Sequence, residues 1–130
     1  MIRLVLAASA LAFGGIGLAF LLDPVGMAAR VGVGLTGTIA DNDVRAVYGG
    51  LQLGCGAFLA LCATRPTWYG PGLMAQLLLF GGLAAARFVS VAAVGLPGTL
   101  GLVLHAGEIT GLGFGLWALH RLRSDPGWRA

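Results

Sequence analysis

Lysine is absent from this chain and acids are scarce: eight basic residues, all arginine, stand against five Asp and Glu in 130 residues, for a net charge of +3. So sparse a basic excess excludes a nucleic-acid surface, which needs cations clustered along one face. Cysteine is equally rare. Cys55 and Cys62 lie on one expected helix, roughly 10 Å apart along its axis and too far for a bridge. No disulfide framework is expected, and both read as small apolar packing residues. Nucleophile-elbow, Walker and dinucleotide patterns are missing too, because the many glycine pairs lie inside apolar runs where no strand turns into a helix. A di-iron bundle needs carboxylates from several helices, and Glu108 is the one acid inside apolar sequence. His105 and His120 are about 22 Å apart along one helix and cannot together ligate one haem. Ser9 has no charged neighbour to activate it. The chain is therefore expected not to be an enzyme and to carry no metal and no cofactor.

What is abundant is apolar residues, at 58% with a mean hydropathy of +0.90, far outside the composition of soluble domains. Residues 4–22 run without a polar side chain except Ser9, about 28 Å as helix, the thickness of a bilayer core. Arg3 ahead of this run resembles the start of a signal peptide, but no small-x-small site follows it, and the run is read as a retained first helix. Asp23 is a good N-cap and Pro24 suits a first helical position, so 24–31 is expected as a short interfacial helix. Residues 32–40 read as loop, with Asp41-Asn42-Asp43 as cap residues for a second span over 44–63. Thr64-Arg65-Pro66-Thr67 and Gly70-Pro71-Gly72 bracket a short loop before a third span at 73–94. Gly95-Leu96-Pro97-Gly98 makes the return to a fourth span at 99–119, and Arg121, Arg123, Asp125 and Arg129 lie in a polar tail. The expected fold is an all-α membrane protein, a single domain over 1–130 forming an antiparallel bundle of four transmembrane helices.

Arginine sets the expected orientation. Arg3, Arg65, Arg121, Arg123 and Arg129 share one side, whereas Arg30 and Arg45 lie on the other, which places both termini in the cytoplasm. Asp23, Asp41 and Asp43 then lie outside, and Trp68, Tyr69 and Trp117 gather near the inner boundary as an aromatic belt. Arginine without lysine, together with plentiful Ala and Gly, suggests a GC-rich bacterial genome, and the location expected is the bacterial cytoplasmic (inner) membrane. Gly50 and Gly54, and Gly107, Gly111 and Gly115, have the small-xxx-small spacing that lets membrane helices approach closely.

Against this background the intramembrane polar residues stand out. Arg45, Tyr48 and Gln52 fall on one helical face, Arg87 and Ser90 lie within two turns of the third span's outer end, and His105 and Glu108 share a face of the fourth. A charge near the centre of a span costs about 2.5–3.5 kcal/mol on insertion scales, so Arg87 and Glu108 are expected to point inward and pair. Tyr48, Gln52 and His105 are expected to complete their hydrogen bonding. Two readings stay open: a binding pocket or proton-linked site facing outward, and a buried network that sets helix register.

The segment Asp43-Val44-Arg45-Ala46-Val47-Tyr48-Gly49-Gly50-Leu51-Gln52-Leu53-Gly54, then Ala86-Arg87-Phe88-Val89-Ser90-Val91, then Glu108, resembles a family of small bacterial four-helix membrane proteins with a domain of unknown function. Arg-Ala-x-Tyr-Gly-Gly is the most specific part of the likeness. The resemblance implies that Arg45, Tyr48, Gln52, Arg87 and Glu108 belong to the family's own pattern, and it implies no activity. Members often carry Asp-Gly-x-Pro after the third helix; this chain has Val94-Gly95-Leu96-Pro97, so no acid in that turn can act here. The general shape is also similar to DoxX-like membrane proteins, some of which accompany quinone-linked oxidoreductases.

The function expected first is an accessory or structural subunit that packs against another integral membrane protein or against itself, with the lipid bilayer as its surroundings. The alternative is a small-molecule or lipid-binding protein, or a dimeric carrier, that uses the outward-facing polar cluster. A carrier of this size would have to dimerise, and its Gly-Pro interruptions lie in loops where broken transport helices would need them in spans. Small multidrug-type carriers place a Glu in their first helix, and none is present here. A redox subunit would need a cofactor ligand that the sequence does not offer.

Overall fold

A computed structural model describes residues 1–124; Asp125 and Arg129 of the expected tail lie outside the described residues. Helix α1, Ile2–Leu22, has 21 residues, about 31 Å, and stops where Asp23-Pro24 begins a new helix. In α2, Pro24–Arg30, Pro24 occupies the first turn and the Asp23 carboxylate accepts from the Gly26 N–H at 2.9 Å. That cap satisfies one of the orphan donors of a helix start. Gly32, with φ +79, ends the stretch in a left-handed conformation.

Here the chain departs from expectation. Helix α3 covers Gly37–Val44, runs into a π-helical segment, Arg45–Leu51, and continues as α4, Gln52–Thr64. Part of the expected loop at 32–40 is thus helical, and Asp41-Asn42-Asp43 lie within the helix and do not cap it. The reason is local: the Asp41 carboxylate meets Arg45 Nε four residues on at 3.1 Å, and an acid placed one turn before a base supports the helix. A 3-10 turn, Pro66–Trp68, leads into α5, Tyr69–Val94. Gly70-Pro71-Gly72 is therefore the first turn of α5, where a proline removes no helical hydrogen bond, and Gly72 lies so close to α4 that an added Cβ would sit 2.6 Å from Cys62 Cβ. Helix α6, Thr99–Arg123, overruns its expected end at residue 119. His120, Arg121 and Arg123 occupy its last turn, where the helix dipole favours cations.

Among the described residues there is no strand, and four stretches are long and apolar enough to cross a membrane: Ile2–Leu22, Gly37–Thr64, Pro66–Val94 and Thr99–Arg123. The protein is an all-α membrane protein with four long apolar helices. The chain divides into two compact units, Ala7–Leu61 and a second made of Met1–Leu6 with the chain from Cys62 on.

Each unit is built on an antiparallel helix pair held close by glycine. In Ala7–Leu61, a Cβ on Gly17 would fall 2.7 Å from the Leu53 backbone nitrogen, and one on Gly56 2.8 Å from that of Gly14. The backbones of α1 and α4 are therefore in direct contact, which any side chain at these positions would prevent. In the second unit, Cβ atoms on Gly111 and Gly115 would meet the Phe80 ring at 2.8 Å and Leu77 at 2.9 Å. Both glycines thus seat α5 side chains on α6. Cys55 and Cys62 are both free thiols, the latter buried.

Gly56→Ala is expected to lower stability in detergent by about 1–3 kcal/mol, because the two backbones must separate. Gly15 has nothing within 4 Å of an added Cβ, so Gly15→Ala should leave melting unchanged or raise it slightly. Equal melting of the two variants would contradict the close approach of α1 and α4.

Candidate functional site

The polar residues of the second unit converge on the α5–α6 contact. Arg87 projects from α5 about two turns before its C-terminus, and Glu108 from α6 at a similar depth because the helices run in opposite directions. Arg87 Nε donates to both carboxylate oxygens of Glu108, at 2.7 and 2.8 Å. The pair is unequally covered: the Glu108 side chain is 9% exposed and that of Arg87 35%. His105, one turn before Glu108, brings Nδ1 to 3.6 Å from Oε2, beyond hydrogen-bond range. Its ring rests edge-on against Phe88, centroids 4.6 Å apart. Ser90 is exposed and stands outside this group.

A single N–H shared by two oxygens neutralises the carboxylate but uses one of the five donors of the guanidinium. Among the described residues, the two Nη groups of Arg87 have no acceptor. In hydrocarbon, unsatisfied donors are costly, and Arg87 therefore presents an unfilled hydrogen-bonding edge at membrane depth.

Arg45, Tyr48 and Gln52 belong to the unit Ala7–Leu61, where all three share the face turned to α1. Arg45 Nη1 donates to the Leu21 carbonyl at 2.6 Å, satisfying one of the free carbonyls at the C-terminus of α1. Its Nε meets Asp41, so this arginine holds the end of α1 to the beginning of the next span. The Tyr48 ring lies 5.3 Å from that of Phe20 and the residue is 51% exposed. Gln52 lies beside Gly17, its Oε1 buried without a hydrogen-bond partner. The expected common face of the three is present, and its partner is the first helix.

Gln76 lies inside the third span, one turn after its expected start. It is fully buried, and its Nε2 donates to the Gly111 carbonyl at 3.0 Å, a second polar tie between α5 and α6. The signal was there, since an amide inside an apolar span has to find a partner; the partner was hidden because it is a backbone carbonyl. The acceptor at Leu21 is likewise a backbone carbonyl, which no side chain marks. Of the glycines expected at helix contacts, Gly111 and Gly115 pack as described, whereas Gly54 and Gly107 have nothing within 4 Å and Gly50 only the Arg45 carbonyl at 3.9 Å.

Among the described residues no three His, Cys, Asp or Glu side chains gather as metal ligands. Four membrane-length helices and an intramembrane ion pair define a small multi-pass membrane protein. Residues 1–119 match the family described as "Domain of unknown function (DUF4345)", and the chain belongs to that family. No curated protein and no solved structure matches the chain.

Glu108→Gln should cost about 3 kcal/mol or more, because it strands the Arg87 charge between the helices. The double variant Arg87→Met, Glu108→Leu should regain most of that loss, since removing both charges of a buried pair is often neutral. Thermal melting in detergent checks both, and a double variant no better than the single one would show that the pair does not act as a unit.

Proposed function

We propose that this protein is a non-enzymatic subunit of a bacterial cytoplasmic membrane, with both termini in the cytoplasm, that packs against another integral membrane protein or against a second copy of itself. The observation that carries this reading is the open glycine face of the second span. Val47, Gly50, Leu51, Gly54, Phe58 and Leu61 are all exposed, and a Cβ on Gly54 would meet nothing. Surface glycines at this spacing let the backbone of a neighbouring helix approach closely. The Arg-Ala-x-Tyr-Gly-Gly segment that we read as the family's signature supplies Gly50 to this face while Arg45 and Gly49 pack on α1, so one short segment would serve both the fold and the contact. An accessory role agrees with the likeness in shape to DoxX-like proteins. The arginines Arg3, Arg65, Arg121 and Arg123 support the orientation.

A second reading is favoured by the unfilled edge of Arg87. Its free Nη groups and the buried Nδ1 of His105, which has no hydrogen-bond partner, would suit a ligand bearing hydrogen-bond acceptors, as in a small-molecule or lipid-binding protein or a dimeric carrier.

Gentle solubilisation of the natively expressed protein, followed by sizing and mass spectrometry, separates the two. A complex larger than one chain that dissociates in Gly54→Leu, with melting of the single chain unchanged, is the expected outcome. A lone chain carrying a small molecule that is lost in Arg87→Met would overturn the subunit reading in favour of the second.

A further inference from the structure

The end of the second unit opposite the Arg87–Glu108 pair carries a different chemistry. Thr110, Gly113, Phe114 and Trp117 line a shallow depression along one face of α6. The Thr110 hydroxyl donates to the Ala106 carbonyl at 2.7 Å, so its proton is already used within the helix. Gly113 forms an open floor, with nothing within 4 Å of an added Cβ, and Phe114 and Trp117 are 56% and 39% exposed. One turn beyond, where the depression meets the expected water boundary, the Arg121 guanidinium lies 5.9 Å from the centroid of the Trp117 ring.

That stacking orients Arg121 without using its N–H groups, and among the described residues they have no protein acceptor. Among the described residues the surrounding charge has one sign. Arg123 and His120 share the last turn of α6, and Arg65 stacks on Trp68 at 5.3 Å beside the start of α5. Residues 109–124 contain no acid. An apolar slot leading up to a guanidinium oriented by an aromatic ring matches a molecule with a long apolar chain below an anionic head. Basic sites at the ends of membrane helices bind anionic headgroups in this manner.

We infer that this face of α6 seats one anionic phospholipid, its acyl chain lying on Gly113 between Phe114 and Trp117 and its phosphate held by Arg121. The seat uses neither the residues of the Gly54 face nor Arg87, and it does not depend on either reading of the protein's function.

The test uses the full chain in mild detergent, incubated with equal amounts of phosphatidylglycerol and phosphatidylcholine and examined by native mass spectrometry. Phosphatidylglycerol should be retained roughly five-fold over phosphatidylcholine, the ratio for about 1 kcal/mol per arginine near the surface. Arg121→Gln should bring the ratio close to one. Gly113→Leu fills the slot from a position where an added Cβ meets no protein atom, and it should reduce retention of both lipids while melting is unchanged. Equal retention of the two lipids by the natural chain, or a preference that survives both variants, would overturn the inference. So would a co-purifying polypeptide displaced by Gly113→Leu, since the face would then be a protein contact.

Discussion

In a bilayer no water completes the hydrogen bonding of a buried group, and this constraint decides how α5 and α6 meet. Arg87 and Glu108 are each costly in hydrocarbon, and the cost falls only where their helices bring Nε against the carboxylate, at 2.7 and 2.8 Å. Gln76 and the Gly111 carbonyl repeat the condition farther along the same contact. Two polar ties at different depths admit one relative position of two helices; a slide of one turn, about 5.4 Å, would break both. Apolar side chains fill the space between, but leucine against leucine would fit at several registers.

Close packing around those ties depends on glycine. Gly111 and Gly115 receive Phe80 and Leu77 on α6, and Gly17 and Gly56 bring α1 and α4 into backbone contact in the other unit. Arg45 has there the part that Gln76 has in the second unit, because each gives an N–H to a backbone carbonyl of the helix opposite. The π-helical segment Arg45–Leu51 contains both this arginine and Gly49, which packs against the backbone of Leu21. π-Helical turns are rare and concentrate where function or close packing makes them worth keeping. In this protein the turn coincides with the Arg-Ala-x-Tyr-Gly-Gly segment.

The polar groups thus fall into two kinds, with one side chain that belongs wholly to neither. Some complete helix-to-helix ties and serve the fold, as Gln76 and Arg45 do. Others lie near the ends of the spans, where Arg65 and Arg121 stack on tryptophan. Arg87 belongs to the first kind through Nε and to neither through its Nη groups, and for that reason it is the side chain on which a ligand-binding reading depends. The glycine face at Gly50 and Gly54 is apolar and open, which is why the proposed helix contact is assigned to it.

Much of the architecture was legible in the amino-acid order. Runs of apolar residues of bilayer length, broken by Asp23-Pro24 and Gly95-Leu96-Pro97-Gly98, determine four membrane-length helices whatever their packing, because hydrophobic length is a local property. The pairing of Arg87 with Glu108 could also be anticipated, since two charges at similar depth on antiparallel spans have few other partners. Helix limits at Gly37, Tyr69 and Arg123 were harder, as cap-like and turn-like residues are tolerated inside helices when Arg45 answers Asp41 or when proline falls in a first turn. What only the tertiary structure decided is which groups meet backbone: Arg45 with Leu21, Gln76 with Gly111, and the choice of Gly17, Gly56, Gly111 and Gly115 as contacts while Gly54, Gly107 and Gly113 stay open. Every residue carries the same carbonyl and every glycine the same hydrogen, so nothing in the order of side chains marks the one that a neighbouring helix will reach.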